Sequence, residues 1–408
     1  MDQLVINKAN EILEKTDGNI CPHCFGRKLS TLVRNKSHME IADEVCEILD
    51  VDLKGRNCQI CDNVFDKITP ELFGKIYNKF DYLNVEFETF EVGTIIHKEI
   101  KQRDDRLSSE LDLNPESIKK HLNRIIAEEI ASKRNKKIDL KRQDIVVNVN
   151  LKNNGKVRLQ INPIHIEGRY NKYLRGIPQT KWPCSHCKGK GCEKCNGTGK
   201  QYPESVEELL SEHLLKETRG YVAKFHGAGR EDIDVLMLGS GRPFVIEVKE
   251  PKTRKIDLKA LEDKVNEINE GKTRYVGLKY CSSSRKGEIK ESSPDSYKIY
   301  KAKVACDEEY DKSKLKDLES LDEIHQQTPL RVLRRRADKI RNKRVKEVST
   351  EIIDDMTFEM TVKTDGGLYI KELISGDEGR TKPNVSEILG VGAICDQLDV
   401  VEVGSDKK

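Results

Sequence analysis

The stretch of this chain best suited to chemistry is the turn Gly227-Ala228-Gly229-Arg230-Glu231-Asp232, in which two glycines precede an arginine and two acids. Glycine admits the backbone angles of a tight turn. Such a turn at a strand end can present a carboxylate to a ligand, and a carboxylate can act as nucleophile, base or cation ligand. An ordinary solvated ion pair has the same composition, so the rest of the chain must decide. An apolar run over 233–238, the turn Gly239-Ser240-Gly241 and a second run over 243–248 read as strand, turn and strand.

The second chemistry-bearing set is thiol. Eight of the 12 cysteines fall in four Cys-x-x-Cys pairs, Cys21/Cys24, Cys58/Cys61, Cys184/Cys187 and Cys192/Cys195, which in a reducing compartment points to metal rather than disulfides. Tetrahedral zinc takes four soft ligands, and each pair supplies two from one turn. The reading is therefore two structural zinc ions, one shared by Cys21, Cys24, Cys58 and Cys61, the other by Cys184, Cys187, Cys192 and Cys195. Four protein ligands leave no open position, so neither zinc is expected to be catalytic. The Gly-rich second cluster is similar to the zinc module of the DnaJ chaperone family, although no J-domain signature accompanies it.

The positioning elements are α+β. Residues 1–80 read as a helical region around the first cluster. A strand is expected over 82–90 and helices over about 94–108 and 115–133. Strands over 145–151 and 156–164 are joined by the hairpin turn Asn153-Asn154-Gly155. A domain boundary is expected near 178, separating residues 81–178 from a mixed, mainly antiparallel domain over 179–408. Its further strands are expected over 274–280, 297–304, 357–363 and 396–403.

Basic and acidic residues number 73 and 70, so any nucleic-acid surface must come from local segregation of charge. The run over 331–346 has that character. It is expected to be a partly buried helix or strand edge with a basic face toward phosphates. The N-terminus lacks the pattern of a signal peptide, and no apolar run approaches a membrane span. A cytoplasmic protein with no membrane or protein partner is expected.

Two enzyme readings compete. Asp234, Glu247 and Lys249 across adjacent strands could hold a divalent metal for phosphodiester hydrolysis, as in nucleases of the restriction-enzyme type. The other reading centres on Asp232. GRED at 229–232 resembles the Gly-Arg-x-Asp motif of pseudouridine synthases. KIYKAKV at 298–304 resembles their tyrosine strand, and GGLYIKEL at 366–373 their Tyr-Ile-(Arg/Lys) motif. The order of these motifs, with GRPFVIEV, TPLRVLRRRAD and SGDEGRTKP, resembles the archaeal/eukaryotic-type tRNA pseudouridine synthases acting on T-loop uridines 54 and 55. That family joins an N-terminal Cys-x-x-Cys region, a THUMP RNA-binding region and a catalytic domain.

The resemblance implies a cofactor-independent isomerase of tRNA with Asp232 as nucleophile. It implies Tyr300 and Tyr369 as substrate-contacting tyrosines, and Arg230 as a partner of the carboxylate or a filler of the space a displaced base leaves. Lys371, where other branches carry Arg, is implied to face the aspartate and keep it ionised. A tRNA-binding protein without activity is the third alternative.

Overall fold

The computed structural model describes residues 2–55, 57–153, 155–291, 296–334 and 336–405. Asn154 of the expected hairpin turn and Arg335 of the basic run lie outside them. The chain forms two compact units, Met1–Asn162 and Pro163–Lys408.

In the first unit, helices α1 (Gln3–Lys15), α2 (Pro22–Leu29), α3 (His38–Leu49) and α4 (Pro70–Leu83) precede β1 (Thr89–Ile95), α5 (Lys98–Glu110) and α6 (Ile118–Arg134). Strands β2 (Lys137–Ile138), β3 (Ile145–Asn150) and β4 (Lys156–Ile161) complete a four-stranded sheet ordered β2-β1-β3-β4. The β3–β4 pair is antiparallel, as expected for the hairpin. The strand expected over 82–90 is displaced. Thr69 caps α4, Pro70 starts it, and Leu72, Ile76 and Phe80 recur on its buried face, so the helix runs on to Leu83. Asn84, at φ 47°, ends it in the left-handed region, and pairing begins only at Thr89. The helix expected from 94 accordingly starts at Lys98.

The regions expected as 1–80 and 81–178 do not separate at 80. Val5, Ala9 and Ile12 of α1 and Ile41, Ala42 and Val45 of α3 belong to the same core as Ile126, Val147 and Leu159. A buried triad joins the two parts: Arg27 Nη2 lies 2.5 Å and Lys28 Nζ 2.7 Å from Asp104 Oδ1.

The second unit begins at β5 (Ile164–Lys172), so the boundary lies at 162/163 rather than near 178. The reason is pairing: β5 lies between two strands of the second unit's sheet. After an excursion carrying the second cysteine cluster come α7 (Val206–Thr218), β6 (Val222–Gly227), β7 (Leu236–Lys249), α8 (Leu258–Ile268), β8 (Thr273–Tyr280) and α9 (Arg285–Glu291). Then follow β9 (Ser296–Cys306), β10 (Glu323–Gln327), β11 (Ile340–Ile352), β12 (Thr357–Asp365), α10 (Ile370–Ser375), β13 (Thr381–Lys382), α11 (Val385–Leu389) and β14 (Ala393–Ser405). The ten-stranded sheet runs β13-β10-β11-β12-β9-β14-β7-β5-β8, with β6 also on β7. Among the described residues of this sheet only the short β14–β7 pairing is parallel.

The turn expected at 239–241 is a kink inside β7. Both halves of β7 pair with the same strand, Arg242 opposite Tyr170 and Met237 opposite Lys172. The surplus residues bulge, with Gly239 at φ 54° and Gly241 at φ 75°. The basic run 331–346 is neither one helix nor one strand. It begins in a short helical turn, Leu330–Val332, and ends in β11, where Val345 is buried and Ile340 exposed.

Candidate active site

The loop between β6 and β7 is pinned from within. Glu231 is 6% exposed, and its carboxylate accepts from Arg242 Nε at 2.9 Å and from the Tyr170 hydroxyl at 2.8 Å. Arg242 also donates to the Ala228 carbonyl at 3.0 Å, and Gln179 to the Gly229 carbonyl at 3.0 Å. The buried ammonium of Lys172 donates to the carbonyls of Ile177, Asp232 and Ile233 at 3.0–3.1 Å. Burial pushes Lys172 down to about 8. Gly229 is required twice. Its φ is +85°, and a Cβ there would stand 3.0 Å from Arg242 Nη1. With Glu231 directed into the core, the next carboxylate, Asp232, opens into a cavity of about 310 Å³.

That cavity gathers all five residues singled out by motif: Arg230, Asp232, Tyr300, Tyr369 and Lys371. Tyr300, on β9, is 8% exposed, and burial, the largest cause, pushes its phenol up to about 12. It is therefore neutral near pH 7. Tyr369 precedes α10, and its main chain is held by Gln326 in both directions, at 2.8 and 3.0 Å. The ion pairs differ from expectation. Among the described residues the nearest cation to Asp232 is Arg331, Nη1 to Oδ2 2.9 Å, whereas Lys371 is 3.9 Å away and makes its short contact, 2.6 Å, with Asp234. Burial alone would raise the Asp234 carboxyl, but the hydrogen bond and charge of Lys371 outweigh it and hold it below its usual range. Arg331 is itself fixed by Glu372 at 2.6 Å and lies over the Tyr369 ring. Arg230 lies over the Trp182 ring, 4.9 Å from its centroid, and Arg331 pairs with the Asp232 carboxylate.

Sequence reading did not single out Glu231, Tyr170, Lys172, Arg331 or Lys298. Arg331 stood unremarked within the basic run, and Lys298 opens the same segment as Tyr300. Nothing local marked Tyr170, whose role depends on a partner 61 positions away. Among the described residues eight cations and two acids line the cavity, which suits a polyanion carrying its own phosphates.

The nuclease residues do not assemble. Glu247 is held by Lys286 at 3.0 Å, with His226 Nε2 at 3.5 Å, and Asp234 belongs to Lys371. Among the described residues no group of potential metal ligands contains Asp234 or Glu247.

Residues 165–404, more than half the chain, match the family model described as Pus10, C-terminal. The chain belongs to the Pus10 family. Residues 75–150 match the archaeal Pus10 THUMP domain. Curated relatives named tRNA pseudouridine synthase Pus10 include that of Methanothermobacter marburgensis, 46% identical over 98% of this chain and 99% of that protein. The Methanocaldococcus jannaschii protein is 46% identical over 88% and 78%, and that of Pyrococcus furiosus 37% over 99% of each. Among solved structures, a chain of a Cbf5-Nop10-Gar1 complex gives a TM-score of 0.31 at 15% identity, covering 59% of this chain and 50% of that one, too slight to carry an argument. The α+β reading, a THUMP region followed by a pseudouridine-synthase-like mixed sheet, agrees with the Pus10 matches.

This Pus10-family chain also holds its cysteines as two four-thiol clusters. Cys21 and Cys61 Sγ are 3.6 Å apart, and in the second cluster sulfur pairs stand at 3.7–4.0 Å. The edge of a zinc–thiolate tetrahedron is about 3.8 Å for bonds near 2.3 Å. Amides of Gly191 and Gly199 donate to Cys187 and Cys195 sulfurs, as thiolates accept. The donor set thus fits a structural metal in both places. A third group, His38, Glu116 and His121, is a poorer cation site because Arg124 holds Glu116 at 3.1 Å and approaches His38. No helix among the described residues is long and apolar enough to cross a membrane.

Proposed function

We propose that this Pus10-family isomerase, which converts uridine to pseudouridine in tRNA, does so through Asp232 as nucleophile and acts on T-loop uridines 54 and 55. The observation that carries the reading is one cavity in which Asp232 faces Arg331, Tyr300, Tyr369 and Lys371. The reaction breaks the N1–C1′ bond, turns the base and joins C5 to C1′; the C5 hydrogen leaves as a proton and N1 gains one. A carboxylate can attack sugar or base to open that sequence. Arg331 lies 2.9 Å from the Asp232 carboxylate, with Lys371 one step further out at 3.9 Å. Tyr300, buried and neutral, offers a ring face to the base and a hydroxyl near C5. The target must leave its stack at a cost of a few kcal/mol, which phosphate contacts to Arg336, Arg341 and Lys343 at the cavity help offset.

The nuclease reading has no assembled ligand set, and an inactive binder would not need the internal staking of the Asp232 loop. The test is mapping of pseudouridine in an unmodified tRNA transcript. Isomerised bases are expected at 54 and 55 and at neither position after U-to-C replacement; modification confined to another arm would refute the T-loop assignment. Both cysteine clusters are read as structural zinc, so elemental analysis should find about two zinc ions per chain. Finding none would remove both sites.

A further inference from the structure

We propose that Lys298 is a catalytic residue of this cavity, donating a hydrogen bond to a carbonyl oxygen of the target uracil and holding the base as an anion while it is detached from ribose. The inference rests on the Asp232-centred reading above. Lys298 is 6% exposed and lines the same cavity as Asp232 and Tyr300. It precedes Tyr300 by two residues on β9, so both share one face of the sheet. Gly229 makes room for it, since a Cβ there would stand 3.2 Å from its Nζ.

Among the described residues the side-chain ammonium of Lys298 has no hydrogen-bond or ion-pair partner. The charges acting on it do not supply one. Arg242 of β7 and Lys343 of β11 are like-charged, and Glu231 is already engaged by Arg242 and Tyr170. Across the sheet it faces Thr364 of β12 and Val403 of β14, neither charged. A buried ammonium without a partner is costly, and a substrate oxygen gaining negative charge would supply the partner. The reaction makes such an oxygen. When N1–C1′ breaks, the bonding pair stays with the base and spreads onto its carbonyl oxygens. It is used again when C1′ bonds to C5, with loss of the C5 proton and protonation of N1. Lys298 need only donate a hydrogen bond throughout, so the balance of atoms and electrons is that of the isomerisation.

The experiment compares wild type, Lys298→Met and Lys298→Arg for tRNA affinity, its salt dependence and single-turnover pseudouridine formation. Lys298→Met is expected to bind tRNA within about twofold of wild type and to react at least about 100-fold more slowly. Lys298→Arg should recover part of the rate. Burial, then Arg242, pushes Lys298 down to about 7, and only its protonated form carries the charge that holds the base as an anion. Wild-type kcat/KM should therefore fall as pH rises through about 7, and that fall should vanish in Lys298→Arg. The proposal is overturned if Lys298→Met reacts within about threefold of wild type. It is also overturned if the loss lies wholly in affinity with a shallower salt slope, the sign of a phosphate contact. A wild-type kcat/KM that is flat from about pH 6 to 9 overturns it without any variant having to fold. Wild type that makes no pseudouridine would refute the underlying reading instead, a result distinguishable from an active wild type beside an equally active Lys298→Met.

Discussion

Two acidic clusters lie at opposite ends of β7 and are built from similar residue types. At its start, Asp232 and Asp234 meet Arg331 and Lys371; near its end, Glu247 meets Lys286, His226 and His165. The first opens into a cavity of about 310 Å³ with an excess of cations. The second is closed on itself. Burial alone would raise Glu247, but Lys286 outweighs it and holds it below its usual range. Among the described residues His165 Nε2 is buried without a hydrogen-bond partner. The difference teaches that acids and bases within reach of one another do not make a site; a cavity beside a partly exposed carboxylate does. Asp232 keeps 40% of its side chain exposed, Glu247 13%.

The largest effect expected from breaking this contrast is that of Asp232→Asn, which should lower single-turnover pseudouridine formation by at least about 10⁴-fold while tRNA affinity holds. Loss of affinity instead of rate would make Asp232 a binding residue. Next, Arg331→Met should cost about 10- to 100-fold in the chemical step, because the carboxylate loses its nearest cation and Tyr369 a stacking partner. A rate within twofold of wild type would show that Lys371 alone suffices. Asp234→Asn should cost only about three- to tenfold, since it frees Lys371 to move toward Asp232 without removing the reacting group. Glu247→Gln should leave the rate within about twofold and lower unfolding stability by about 1–2 kcal/mol through the unpaired Lys286, read by denaturant titration. Activity lost with Glu247 but kept without Asp232 would invert the comparison.

Much of the open cluster was legible in the chain, and the reasons are local. Gly229 before Asp232 marks a turn that glycine favours, and the motif order at 298–304 and 366–373 brings Tyr300, Tyr369 and Lys371 to the same place. The long strands β9, β12 and β14 follow from alternation. What escaped depends on partners distant in sequence. Glu231 looks like any surface acid until Tyr170 and Arg242 enclose it. Arg331 carries nothing to separate it from its basic neighbours before Glu372 orients it. The glycines at 239 and 241 signal a break in pairing, but whether that break is a turn or a bulge is decided by β5, which accompanies β7 on both sides of it. Likewise the alternation near 82–90 loses to the stronger helical face of α4.

The most direct measurement is the fate of unmodified tRNA incubated with wild-type protein in EDTA, read by strand length and by base analysis of the same sample. The account predicts full-length tRNA containing pseudouridine, with no change in mass and no need for added divalent metal. Cut strands that appear only when magnesium is restored, with no isomerised base, would contradict it and return the chemistry to the Glu247 end of β7.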